Sequence, residues 1–367
     1  MSRACAQCLT RARLIEALAP RIDKLASQRR PVRQLLALSN EELMQATGVP
    51  EGQRPRLLEE AARAAEGDLT PAIDGGAVCI HDASYPQPLL ALPDAPHALF
   101  HTGSWPRLEQ LLAESPVSIV GSRRPSAQAE QNATELGRRL AAAGVTVVSG
   151  LAFGIDAACH RGALSASGAA IAVLASGADR ASPVGNRGLY LQVRAAGTVI
   201  SEMPWGASPW RWAFPARNRI MAALAEMTVV VEAADRSGSL ITARIALDLG
   251  RNVGAMPGAA GARLTEGSNL LIRDGCVPVQ GAADVLDAIH GVENRAALEA
   301  DARRRRVGRD PLLSALLDSV EVGETLEQMS ARSGLPAREL RAALARLEQI
   351  GLIRRTGLRG FVATTTG

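Results

Sequence analysis

The stretch VSIVGSRRPSAQAEQNATELGRRLAAAG, residues 117–144, decides the fold. A short run rich in β-branched residues stops at Gly121, a loop of small and basic residues follows, and from Ala129 the apolar positions fall at helical spacing. The same alternation recurs in VTVVSG (145–150), AIAVLAS (170–176), TVISE (198–202), MTVVVEA (227–233), NVGAMPG (252–258) and CVPV (276–279). Helical patterns such as GIDAACHRGALSA (154–166) and SLITARIALDLG (239–250) lie between most of them. Strands apolar on both faces, alternating with amphipathic helices, predict a parallel sheet covered on both sides. This is the doubly wound, Rossmann-like α/β class.

The flanks read differently. Leu14, Ile15, Leu18, Ile22 and Leu25 recur at helical spacing, and SNEELMQATGVP (39–50) offers a Ser39 cap, acids in the first turn and a stop at Gly48 to Pro50. Residues 1–72 are therefore expected to form a small helical domain. The central domain is set at 73–290, beginning with the short apolar pieces AVCI and ALFHTG between prolines. Residues 291–309, with Arg303 to Arg306 in a row, read as a charged linker. Residues 310–367 read as a helix, a turn at Gly334, a second helix opened by Pro336, and a hairpin folded at Thr356-Gly357. That order belongs to a winged helix-turn-helix.

Composition narrows the function classes. The 367 residues exceed what one core usually holds, and 47% hydrophobic with 21% charged residues is globular usage without a membrane-length apolar run. Arg3, Arg11 and Arg13 interrupt the first twenty residues, so no signal peptide is expected and the cytoplasm is the default. The five cysteines, odd in number and widely spread, suit reduced thiols. Cys5 and Cys8 have metal-knuckle spacing, but no second pair lies nearby in the sequence, so no metal is expected. A formal charge of +4 leans mildly towards a polyanionic partner. Lys24 is the only lysine, so arginine carries less chemical meaning here than usual.

In a doubly wound sheet the ligand sits beyond the carboxyl ends of the strands. A nicotinamide fingerprint would need G-x-G-x-x-G after the first of these strands and an acid ending the next. The chain has Gly121-Ser122-Arg123-Arg124 and then Ser149-Gly150, so no such cofactor is expected. The loops instead offer anion-binding chemistry: small residues that let backbone N–H groups approach, helix N-termini and arginines. Arg236-Ser237-Gly238-Ser239 opens a helix that Ser239 is expected to cap and that continues through Thr242. Gly267-Ser268-Asn269 opens another, Arg217-Asn218-Arg219 starts the helix before MTVVVEA, and Arg123 is expected to face a phosphate directly as a buried guanidinium. Of ten aromatic residues, Trp205, Trp210, Trp212 and Phe214 crowd into ten positions just before Arg217. Trp210, Trp212 and Phe214 are candidate base-stacking rings. His160 reads as a core residue, Asp156 as a helix cap, and Glu202 and Glu232 end strands without a catalytic partner, so no reaction can be assembled.

The ordered set YPQPLLALPDAPHALFHTG, VSIVGSRRPS, VVSGLAFGIDAACHRGAL, ISEMPWGASPWRWAFPARNRIMAAL, VVVEAADRSGSLITARIALDLGRNVGAMPG and EGSNLLIRDGC resembles the DprA/Smf family of DNA-processing proteins over about two thirds of the chain. The resemblance implies a non-enzymatic protein that binds single-stranded DNA through an extended Rossmann domain, dimerises and loads the recombinase RecA during natural transformation. It also implies a sterile-alpha-motif-like N-terminal domain and a C-terminal winged helix. Its pocket maps onto Gly121, Ser122, Arg123, Ser149, Gly150, Arg217, Asn218, Arg219, Ser237, Gly238, Ser239 and Thr242. Arg236 stands where the family usually has Lys, and Ser182-Pro183 with Gly185-Asn186 departs from its usual Tyr-Pro and Glu-Asn. The runner-up is a Rossmann-like nucleotide-phosphate hydrolase of the lysine-decarboxylase-like group, whose Pro-Gly-Gly-x-Gly-Thr stretch is missing here. A third reading makes the winged helix the main DNA reader. Residues 310–367 carry seven arginines and seven acids, so no duplex-binding footprint stands out.

Overall fold

Nine strands form one sheet in the order β1-β2-β6-β5-β4-β3-β7-β8-β9 in the computed structural model, which describes residues 4–69, 73–166, 168–292, 310–349, 352–356 and 360–363. The strands are β1 (Gly75–Cys79), β2 (Ala98–Thr102), β3 (Val117–Val120), β4 (Val147–Ser149), β5 (Ala170–Val173), β6 (Thr198–Ser201), β7 (Met227–Val230), β8 (Asn252–Ala255) and β9 (Val277–Pro278). From β6 to β9 all neighbours run parallel. The edge hairpin β1–β2 is attached antiparallel to β6. Each expected run became a strand. Val117, Ile119, Val147, Val199, Met227 and Val229 enter one apolar cluster, while Val120, Val148, Ile200 and Val230 enter the other. A strand so placed is apolar on both faces.

Four helices precede the sheet, and the others follow its strands. α1 is Ala6–Ser27, α2 Val32–Leu36, α3 Asn40–Ala46, α4 Arg54–Glu66, α5 Trp105–Leu112 and α6 Ala127–Ala142. After them come α7 (Ile155–Ser165), α8 (Arg187–Ala196), α9 (Ala213–Leu224), α10 (Ser239–Asp248), α11 (Glu266–Arg273) and α12 (Ala282–His290). Ser39 caps α3 through a reciprocal capping box with Glu42, as its sequence suggests. Two caps differ from expectation. Gly154, not Asp156, caps α7, with φ at 77°, a conformation that glycine adopts without strain. Gly238 caps α10, and the Ser239 hydroxyl lies 2.7 Å from that of Ser237 instead of closing the helix end.

The N-terminal helices do not keep a core to themselves. Leu14, Leu18, Ile22, Leu43 and Met44 pack with Met203, Trp212, Ala213 and Ala216 of the central unit. Residues 310–363 contribute α13 (Pro311–Glu321), α14 (Leu326–Ser333), α15 (Ala337–Gln349) and the antiparallel pair β10 (Ile353–Thr356) and β11 (Gly360–Ala363). Leu340, Leu344 and Leu347 face inward, and Arg338, Arg341 and Arg346 lie exposed. The basic run Arg303 to Arg306, Gly357 and Arg359 lie outside the described residues.

Candidate functional site

β3 and β7 are hydrogen-bonded neighbours, paired from Val117 with Met227 to Val120 with Val230. The chain leaves β3 for β4 on one side, whereas β7 leads to β8 on the other. At such a switch point the two departing loops separate and open a crevice. Here the crevice is a cleft of about 770 Å³, walled by Gly121 to Arg123, by Phe214, Arg217 and Asn218 of α9, and by residues 234–239 and Thr242 around the start of α10. The Ser122 N–H donates to the Glu232 carbonyl at 2.8 Å, which fixes the two loops against each other. The Glu232 carboxylate accepts from the Ser126 hydroxyl at 2.6 Å and from its N–H at 3.1 Å, holding the residue that caps α6.

Arg217 sits at the base of the cleft, 4% exposed. It donates to the carbonyls of Gly150 and Val173, and its guanidinium lies 3.7 Å from the Asp156 carboxylate. Burial lowers its pKa to about 10, opposed by the Asp156 charge and helped by Arg123. Asp156 is raised by the same burial, opposed first by Arg217. The fit is close, since a Cβ on Gly150 would run into the Arg217 guanidinium. Two buried groups there have no hydrogen-bond partner among the described residues: Nε of Arg217 and the Thr242 hydroxyl. Buried polar groups are normally satisfied, so orphans in a cleft wall point to a missing ligand or water. At the rim the Arg123 guanidinium lies over the Phe214 ring, 5.1 Å from its centroid.

The structure brings most of the expected residues together and parts others from them. Gly121, Ser122, Arg123, Phe214, Arg217, Asn218, Arg236, Ser237, Gly238, Ser239 and Thr242 all line the cleft. Arg123, however, is exposed, not buried, because its partner is a ring at the rim. Ser149 lies wholly beneath the surface, its hydroxyl donating to the Ile119 carbonyl at 2.6 Å, and Gly150 underlies Arg217. Arg219 faces away. It is 1% exposed and locked between Glu202 at 2.6 Å and Asp94 at 2.9 Å. Two residues along a helix turn the side chain by roughly 200°, so Arg217 and Arg219 could not share one face.

Trp212 is also turned away. It is 2% exposed and its indole N–H donates to the Ala19 carbonyl at 3.3 Å, while Trp210 packs on the same cluster. The large apolar area of Trp212 is buried against the N-terminal helices instead of being presented to solvent, and Trp210 is half-buried. Gly267 and Asn269 sit beside the cleft: the Gly267 N–H donates to the Ala233 carbonyl, and the Asn269 amide makes two bonds with Gly258. Asp235, Arg263 and Glu266 line the cleft without having been singled out. Their only sequence signal is nearness to the strand ends, shared with many other residues. They leave the site a mixture of both charges.

His160 is fully buried on α7, and burial lowers its pKa to about 4, leaving it neutral at pH 7. The Cys5 and Cys8 pair departs from expectation, since the fold sets Cys79 and His81 beside it. Asn186, in the loop that departs from the family pattern, donates its amide to the Leu151 carbonyl at 2.8 Å. No described helix is long and apolar enough to cross a membrane.

Comparison with known proteins now bears on this cleft. The family described as DNA recombination-mediator protein A matches residues 76–290, the whole sheet with its cleft. The chain belongs to that family. Protein Smf of Escherichia coli is 35% identical over 277 residues, covering 73% of this chain and 72% of its own. The DNA processing protein DprA of Streptococcus pneumoniae is 40% identical over 207 residues, covering 56% of this chain and 72% of its own. The X-ray structure of that pneumococcal protein superimposes with a TM-score of 0.61 at 30% identity, over 78% of this chain and 99% of its own. A structure of DNA processing protein A from Helicobacter pylori, described for its single-stranded DNA binding mode, matches with a TM-score of 0.50 at 27% identity. It covers 61% of this chain and 96% of its own. The DprA/Smf resemblance and the Rossmann-like α/β class both stand on these relatives.

Proposed function

We propose that this DprA/Smf protein binds single-stranded DNA across the β3–β7 cleft, with phosphates at the start of α10 and near Arg123 and Arg236, and a base stacked at Phe214. The observation that carries the reading is the exposed Arg123 guanidinium on the Phe214 ring at the mouth of a cleft whose wall holds the orphan Thr242 hydroxyl. An arginine and a ring side by side suit a strand whose every nucleotide carries an anion and a π-face. The solved Helicobacter pylori relative, described for such a binding mode, supports the assignment. The family's description as a recombination mediator supports a partnership with the recombinase RecA, and homodimerisation in the cytoplasm completes the reading.

No catalysis belongs to this function. Glu232 is engaged in holding Ser126, and His160 is fully buried. Neither is placed to serve a nucleotide hydrolase. Fluorescence anisotropy with labelled single strands and blunt duplex, at several salt concentrations, tests the binding. Single strands of any sequence should bind more tightly, with a log-log salt slope near −0.7 for each phosphate contacted. Equal affinity for duplex, or a flat salt series, refutes it.

A further inference from the structure

The amino-terminal residues Cys5 and Cys8 meet two side chains more than seventy positions downstream. Cys5 ends the extended segment that caps α1, and Cys8 lies in the first turn of that helix. Cys79 closes the edge strand β1, and His81 follows two residues later. The Ala4 N–H donates to the Ala77 carbonyl at 3.0 Å, which lays the amino-terminal segment along the sheet edge. The sulfurs of Cys5 and Cys8 each lie 3.4 Å from Nδ1 of His81, and the four donor atoms all fall within 4.8 Å of one another.

We propose that Cys5, Cys8, Cys79 and His81 form a structural zinc site that fastens the N-terminal helical segment to the edge of the sheet. Zinc is held tetrahedrally with Zn–S near 2.3 Å and Zn–N near 2.0 Å, so sulfur and nitrogen ligands of one ion stand about 3.5 Å apart. The Cys5–His81 and Cys8–His81 separations of 3.4 Å match that edge. Three thiolates with one imidazole are a soft donor set that selects zinc over magnesium or calcium. With all four donors inside 4.8 Å, one ion fits and a multinuclear cluster does not. Cys8 and Cys79 are at most 1% exposed while His81 is exposed, so the ion closes from the solvent side with the imidazole as its lid.

The placement assigns a task. β1 is the outermost strand, separated from β3 by four strands in the sheet order, so the ion is remote from the cleft and would take no part in binding there. It would pin the start of α1, whose Leu14, Leu18 and Ile22 pack against the segment leading into α9. A metal that binds the folded chain and not the unfolded one adds its binding free energy to stability.

The test uses the full chain purified under reducing conditions from zinc-supplemented cells. Elemental analysis should find one zinc per chain, retained through gel filtration and released when a mercurial reagent titrates the thiols. Cobalt replacement should give ligand-field bands of tetrahedral intensity together with sulfur-to-cobalt charge transfer. His81→Ala is the informative variant because the exposed imidazole supports no core. It should weaken zinc retention at least tenfold and lower the melting temperature in zinc-containing buffer, and Cys8→Ser should reduce the charge-transfer intensity by the share of one of three thiolates. Metal far below one equivalent, cobalt spectra without thiolate bands, or a Cys5–Cys8 disulfide in the purified metal-free chain would each overturn the proposal. So would His81→Ala that retains zinc as tightly as the parent.

Discussion

Arg217 and Arg219 leave the same helix in opposite directions and end in opposite circumstances. On the inner side Arg219 has its partners complete: Glu202, the Asp94 carboxylate and carbonyl, and the Ala216 carbonyl surround it. On the cleft side Arg217 keeps Nε unpaired, Thr242 keeps an unpaired hydroxyl, and Arg123 rests on a ring at the rim. A saturated guanidinium inside a protein is part of the scaffold. An unsaturated one in a cleft wall has a hydrogen-bond donor left over for a ligand. Sequence composition treats the two alike, and only partner accounting separates them.

The largest effect should come from the saturated side. Arg219→Met strands the half-buried Glu202 carboxylate and leaves Asp94 with Arg33 as its remaining cation, and should cost about 3–5 kcal/mol in denaturant-midpoint measurements. Trp212→Ala, which empties the floor under α1, should cost a similar ~3–5 kcal/mol. If either variant melted like the parent and lost only DNA binding, the division between the two sides would fail.

On the cleft side the expectation reverses. Phe214→Ala should lose roughly 1–3 kcal/mol of single-strand binding, the usual contribution of one stacked base. Arg123→Ala should lose at least as much, with melting temperature nearly unchanged. Arg124→Ala is the control, since Arg124 does not line the cleft. Equal losses for Arg123 and Arg124 would mean a diffuse field and no defined pocket.

A smaller effect is expected from removing residues after 292. The chain ending at residue 292 should keep its cooperative melting and most of its single-strand affinity, because the residues that line the cleft precede that point. Abolished binding by a folded truncation would move the main site to the C-terminal helices and hairpin.

The subtlest difference is in acid. His160 has a folded pKa of about 4, well below the value near 6.5 of an unconstrained histidine, and so does His101. For such depressed groups the unfolded chain takes up protons first. The stability they contribute is full above about pH 6.5 and is lost progressively as pH falls towards 4. His160→Leu should flatten part of that decline in a melting-temperature series, with His101 and His97, both lowered by burial, contributing to the rest. An unchanged acid limb would mean that the folded ring takes up its proton at the same pH as in the unfolded chain.

Much of this was legible from residue order. The runs from VSIVG to CVPV became β3 to β9, and the Gly121-Ser122-Arg123 and Arg236-Ser237-Gly238-Ser239 loops met at one cleft because parallel strands deliver all their carboxyl ends to one edge. Helical geometry could also have separated Arg217 from Arg219, since two residues along a helix nearly reverse direction. Trp212 was harder to read. A tryptophan beside arginines suits a stacked base as well as a buried contact, and only the presence of α1 above it selects the second.

Local periodicity and strand-end chemistry are short-range properties, and the sequence by itself carried them: the parallel sheet, the edge on which its strand-end loops converge and the small and basic residues there. The tertiary structure alone decided which arginine is saturated, which rings are buried, and that Cys79 and His81 come to stand beside Cys5 and Cys8. Those outcomes depend on packing between segments as far apart as α1 and the chain entering α9. Proximity of that kind is set by how apolar faces are buried together, and no spacing along the chain encodes it.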